Sequence, residues 1–169
     1  MHSWAFPAKG HRPRPLRLKQ KNKDKKDPDR QALACYGVWF EKRQQMLLRF
    51  VTGRPVSHVT IAFLEWVLAH LAAEGKRVWV LIWDNASWHT SQKVRRWIGQ
   101  HNQQAKGTGG VRILVCPLPV KSPWLNPIEP RWLHGKRAIV EPDRKLTAQE
   151  TMERICAHYG CELLEPIEQ

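Results

Sequence analysis

The sequence predicts an α/β fold in which a mixed β-sheet is flanked by helices. Two strand-like apolar runs, "ALACYGVWF" and "QMLLRFVTG", are separated only by a polar "EKRQ" turn, the pattern of a hairpin. Two further runs, "RVWVLIW" and "VRILVCPLP", are apolar without alternation, as in strands covered on both faces. Segments with a 3.6-residue apolar period lie between and after them. A leading hairpin followed by alternating β and α elements, in the order β-β-α-β-α-β-α-α, places helices on the faces of a mixed sheet. No internal repeat interrupts this order.

Each element has a local reason. After the hairpin, Gly53 and Pro55 break the chain and Ser57 is placed to cap a helix. That helix carries Val59, Phe63, Trp66, Val67 and Leu71 at helical spacing and ends at Gly75. The strand "RVWVLIW" follows, then a turn, then a helix starting at Thr90 or Ser91 with Val94, Trp97, Ile98 and His101 on one face. A "KGTGG" loop leads into the strand "VRILVCPLP". Asn126-Pro127-Ile128-Glu129 reads as a helix start, with Asn as cap, Pro first and Glu three after the cap. A last helix opens with a Thr147–Glu150 capping box, repeats apolar groups at Met152, Ile155, Cys156 and Tyr159, and stops at Gly160.

The chain's 169 residues allow one domain with a real core plus an arm. Lys and Arg number 28 against 15 Asp and Glu, a net charge of +13 that favours a polyanionic partner, above all nucleic acid. Residues 9–30 hold ten Lys/Arg against three Asp, a local excess of seven that leaves six for the rest of the chain. Residues 1–30 therefore read as a basic, Pro- and Lys-rich arm, extended or mobile, and 31–169 as the folded domain. Lys19, Lys21, Lys23, Lys25 and Lys26 in the arm, with Lys121, Arg131 and Lys136 in the body, are the candidate phosphate contacts, although a solvated arm is an equally good reading of the first set. Asp24, Asp27 and Asp29 have no apolar strand around them and read as solvated charges.

The four cysteines show no CxxC spacing, and Cys35 and Cys116 sit inside apolar runs as buried thiols do. Cys156, His158 and Cys161 approximate a zinc site poorly, since four convergent ligands are needed. Neither a signal peptide nor an apolar run near ~20 residues is present, so the expected setting is reducing and cytoplasmic, with no membrane partner.

Two acids stand out by position. Asp84 closes the apolar strand in "VLIWDNASWH", and Glu129 follows the next strand in "PLPVKSPWLNPIE". The ends of α/β strands are where such folds gather their sites. Oxygen ligands of this kind suit Mg²⁺, held by one or two carboxylates plus water and substrate phosphates. A pair of such ions, about 3.5–4 Å apart, can drive a phosphodiester displacement. Ordinary structural roles remain open for both: Asp-Asn after a strand is common turn chemistry, and Glu129 serves as a capping-box partner.

Taken together, "DNASWH" after one strand and "VKSPWLNPIEPRW" after the next resemble the mariner-related DDE transposases, including their bacterial insertion-sequence branch. The resemblance is dense from Arg77 to Arg137 and looser before it. It implies a ribonuclease-H-like fold, DNA as substrate, and Mg²⁺ or Mn²⁺ held by Asp84 and Glu129 as the second and third catalytic acids. Asn85, His89 and Asn126 become supporting residues, while Trp88, Trp124 and Trp132 are expected to pack rather than to stack on bases. The departure is at the start of the chain. The family's first acid lies on the first strand, ahead of a W-x-P-x-G-type segment, and "WAFPAKGHRP" begins at Trp4 with no acid before it. The family's helix-turn-helix region is also lacking.

The expected function is thus a transposase endonuclease domain with its first strand missing, inactive alone, dimeric or paired with a separate N-terminal fragment, acting on bacterial DNA in the cytoplasm. The alternative is a nucleic-acid-binding remnant without chemistry. A nuclease working with two acids is a third reading.

Overall fold

The computed structural model describes residues 2–5, 14–17, 33–120, 122–139 and 146–168. From Leu33 onward the element order follows the sequence reading. Strands β1 (His2–Ala5) and β2 (Arg14–Arg17) form a short antiparallel ladder within the region expected to be an arm. The arm's lysines 19–26 and its three Asp residues lie outside the described residues, as does Lys121.

Strands β3 (Leu33–Phe40) and β4 (Gln45–Thr52) pair antiparallel in the expected hairpin. The polar turn closes with Gln44 in the left-handed region (φ 51°). The hairpin is covered on both faces. Tyr36, Val38 and Val51 join the main core with helix α1 (Ser57–Ala73), through Val59, Phe63, Leu64 and Val67. On the other face Leu33, Cys35 and Phe50 meet Met152, Ile155 and Cys156 of helix α5 (Ala148–Tyr159). The Tyr36 hydroxyl lies 2.9 Å from the buried Thr60 Oγ1, pinning hairpin to helix. The C-terminal tail covers the outer edge of β4: Ile167 N–H donates to Phe50 O (2.8 Å), and Thr52 N–H to Ile167 O (3.3 Å).

Strands β5 (Val78–Trp83) and β6 (Arg112–Pro117) pair parallel, joined by the short helix α2 (Ser87–Thr90) and by α3 (Gln92–Thr108). Here burial departs from expectation. Trp79, Leu81 and Trp83 are buried, whereas Val80 (56% exposed), Ile82 (46%) and Leu114 (52%) face outward with no cover among the described residues. The unalternating runs thus occupy a sheet face left bare, and two-face burial belongs to the hairpin instead. Cys116, expected to be buried, is exposed for the same reason.

Local starts and stops also differ in places. Ser57 is the first residue of α1 rather than its cap, which is Val56; the Ser57 hydroxyl instead donates to Ser91 Oγ (2.8 Å). Ser91 caps α3 by accepting from Val94 N–H. Helix α3 runs through the expected "KGTGG" loop as far as Thr108, ending at Gly109 (φ 72°). Helix α4 (Glu129–Ala138) begins three residues after Asn126, with Ile128 at its cap position. The capping box Thr147–Glu150 forms as read.

Parallel and antiparallel pairs flanked by helices make the architecture mixed α/β. The expected single sheet, however, is divided. Among the described residues the β3–β4 hairpin and the β5–β6 pair are separate two-stranded ladders. What separates them is a cavity.

Candidate active site

The cavity has a volume of about 900 Å³. Its side walls are β3 and β5, with Phe63 and Leu64 of α1 on one side and Ile128 and Trp132 at the start of α4 on the other. Close packing fixes the α4 wall. A Cβ on Gly37 would sit 2.5 Å from Trp132 Cζ2, so only glycine lets the indole lie on β3. The Arg131 guanidinium lies 4.3 Å from the Trp39 ring centroid and donates to Gln44 Oε1 (3.0 Å).

Asp84 stands at the carboxyl end of β5, where the ladder stops. Its Oδ1 accepts from Ala86 N–H (3.0 Å), the turn chemistry expected of an Asp after a strand, and also from His89 Nδ1 (2.9 Å). Both bonds use one oxygen. Among the described residues Oδ2 has no hydrogen-bond partner, and the side chain is half exposed. His89 is oriented by aromatic groups: it stacks on Trp83 (4.8 Å, 4°) and meets Trp88 and Tyr36 edge-on. Burial holds the His89 pKa below its ordinary value, and the adjacent Asp84 carboxylate opposes that shift. A neutral imidazole donating from Nδ1 to a carboxylate is the arrangement these groups favour.

Glu129 occupies the first position of α4 and is exposed. The capping-box role expected for it is not realised: α4 has no side-chain cap, and Asn126 Oδ1 instead accepts from Ile128 N–H (3.4 Å). Among the described residues its carboxylate has no hydrogen-bond partner. Asn126 is buried in the cavity wall. Asn85 is not among the residues that line the cavity; its side chain donates to Leu118 O (2.6 Å), while Leu118 N–H donates to Trp83 O (2.9 Å). Together these bonds tie the loops after β5 and β6 to each other.

Asp84, His89, Asn126 and Glu129 therefore line one cavity, with Asp84 on the β5 wall and Glu129 on the α4 wall. Two carboxylates with free oxygens suit a hard divalent cation that keeps water and phosphate ligands. Among the described residues no group of three or more His, Cys, Asp or Glu could hold a metal. This includes the zinc reading of Cys156, His158 and Cys161. Burial pushes the Cys161 thiol up to about 11 and raises Cys156 too.

Of the remaining candidates, Lys136 is exposed on α4, and Arg131 is engaged with Trp39 and Gln44. Trp88 and Trp132 pack as expected, but Trp124 is 74% exposed. Sequence reasoning missed Trp83 and Tyr36 as the aromatic frame of His89. The clue was parity: Trp83 shares its strand face with Trp79 and Leu81, the face that meets the helices. The basic groups Lys42, Arg43 and Lys76 at the far end of the cavity were also missed.

A model of the DDE superfamily endonuclease family matches residues 4–153. No curated protein and no solved structure matches the chain. Among the described residues no helix is long and apolar enough to cross a membrane.

Proposed function

Because the chain belongs to the DDE superfamily endonucleases, we propose that it is a transposase catalytic domain of the mariner-related, insertion-sequence kind, which cleaves and joins DNA strands with Mg²⁺ or Mn²⁺. The observation carrying this reading is that Asp84 and Glu129, both within the matched span, line one cavity with carboxylate oxygens not used by the fold. When bound, the divalent ion would activate a water or a 3′-hydroxyl and stabilise the leaving oxygen of the phosphodiester. The chain's own residues do the rest. Asp84 supplies oxygen ligands from the β5 wall and Glu129 from the α4 wall. His89 fixes the rotamer of Asp84 by holding Oδ1, which would leave Oδ2 to the ion. Asn85 and Asn126 brace the loops from which these groups project, and exposed basic residues such as Lys136 neutralise phosphates.

The competing reading, a DNA-binding protein without chemistry, draws support from the lack of a third ligand among the described residues. Mn²⁺ titration followed by electron paramagnetic resonance separates the two. The catalytic reading expects saturable binding, weakened at least about tenfold by either Asp84→Asn or Glu129→Gln, since each removes one of few protein ligands. Equal Mn²⁺ affinity in all three proteins would overturn it.

A further inference from the structure

Helix α3 breaks three rules of helix composition on its exposed face. Its 17 residues, "QKVRRWIGQHNQQAKGT", hold the cations Lys93, Arg95, Arg96 and Lys106 and no acid. All of these cations are exposed, and among the described residues none is in an ion pair. Lys93, Arg95 and Arg96 stand at the amino end, where the helix dipole disfavours positive charge, and Lys93 repels Arg96 across one turn. Gly99 then sits in mid-helix, where glycine is a worse choice than any residue but proline. A Cβ at Gly99 would meet nothing within 4 Å, and the same holds at Gly107. Elsewhere the fold uses glycine for packing: Trp132 fills the space before Gly37, and Tyr159 the space before Gly135. No neighbour explains Gly99. An exposed glycine facing open space is what a helix needs where its backbone closely approaches a ligand.

We propose, on the reading that DNA is the partner, that this face of α3 docks the sugar–phosphate backbone of a DNA duplex, which passes closest at Gly99. Val94, Ile98 and Ala105 fix the orientation by facing the core. On the opposite side Lys93, Arg96, Gln100, Gln103 and Gly107 follow one another at one-turn intervals, all exposed. The stripe runs for about 25 Å. It begins at the Ser91 cap, two residues after the His89 that holds Asp84. A polyanion along it relieves both the mutual repulsion of the cations and their conflict with the dipole. The glutamines add neutral donors to phosphate and sugar oxygens. A single strand would instead be gripped by stacking on aromatic side chains. The face offers none, since Trp97 packs against the core and stacks on His101 (5.3 Å, 15°).

The test is fluorescence polarisation of a labelled DNA duplex of mixed sequence, titrated with the full chain and its variants over a range of salt. Arg96→Gln should weaken binding and lower the log–log salt slope by about one, the share of one phosphate. Gly99→Leu changes no charge but adds bulk at the closest approach. It should weaken duplex binding by roughly tenfold, the loss of a charge-assisted bond or two. Gly99→Ala and Gly99→Leu should both melt above the parent chain, by roughly 2–4 °C for Ala, because each is a better helix former. Weaker binding by a more stable protein cannot be misfolding. Unchanged affinity in both Arg96→Gln and Gly99→Leu, with the parent still binding, overturns the α3 face and leaves DNA as the partner. Loss in only one of them also overturns it: Arg96→Gln alone would be attraction at a distance, and Gly99→Leu alone a contact without phosphate. A Gly99→Ala chain that melts below the parent would show that the glycine serves the fold, which removes the close approach. The single strand of the same sequence should bind more weakly, and equal affinity with equal losses would overturn the duplex as occupant. Absence of salt-dependent binding by the parent chain would overturn DNA as the partner and the face with it.

Discussion

His89 Nδ1 lies 2.9 Å from Asp84 Oδ1, with the imidazole stacked flat on Trp83, the last residue of the strand that Asp84 terminates. Strand, carboxylate and ring form one unit: the strand end places the acid, the indole places the ring, and the ring holds one carboxylate oxygen. A half-exposed Asp would otherwise sample several rotamers. The five-residue offset in "DNASWH" is what the turn and the short α2 need to bring the ring back over Trp83.

His89→Phe should therefore keep the stacking but release Asp84. Mn²⁺ affinity is expected to fall by about tenfold, in line with the loss of a group that orients a ligand. His89→Gln, which can still donate a hydrogen bond, should recover part of it. Far-ultraviolet circular dichroism should be unchanged in both. If Phe and Gln weaken the metal equally, His89 acts through packing and not by holding Asp84.

Gly37 and Trp132 give a stability prediction. Gly37→Ala forces a methyl into the indole, at a cost of about 1–3 kcal/mol for overpacking. The gain from replacing a strand glycine, ~0.5–1 kcal/mol, is smaller. The melting temperature should fall by roughly 2–4 °C per kcal/mol for a chain of this size. In a Trp132→Ala background the same change should be neutral or stabilising, and a cost that persists there would show that the indole is not the obstacle.

Much of the fold was legible because local signals and tertiary packing agree. The hairpin, the helix α5 with its capping box, and the order of elements from Leu33 all follow the reading. The disagreements share a physical cause. Burial of the β5 run depends on what covers Val80 and Ile82, and composition alone does not reveal a missing cover. Asn-Pro-x-Glu satisfies the sequence rule for a helix start, yet α4 begins at Glu129, where Trp132 can reach Gly37. For the site, the two acids and His89 were visible as motif residues, because strand ends expose them. The aromatic frame and the divided sheet were not, since both depend on which strands lie side by side.

The basic surface predicts salt-sensitive, weakly selective DNA binding. If about six phosphates are neutralised, the log–log salt slope should be near −5. Deleting residues 1–30 removes much of the local excess of positive charge and should flatten the slope without abolishing binding. Lys136→Ala should cost about one unit of slope. Arg131→Ala should cost less, because its guanidinium is already held by Trp39 and Gln44. An affinity indifferent to salt would contradict the electrostatic reading.

Catalysis by this 169-residue chain alone is expected to be very weak. The proposed site offers two carboxylates, Asp84 and Glu129, where a two-ion displacement is best served by more, and no third joins them among the described residues. A short ligand set binds the ions poorly and misplaces the attacking oxygen, and even a ~1 Å error costs on the order of a hundredfold. Mn²⁺-dependent nicking of supercoiled plasmid by the chain should therefore be weak, and Asp84→Asn or Glu129→Gln should remove what there is. Strong nicking that survives Asp84→Asn would place the chemistry elsewhere in the molecule.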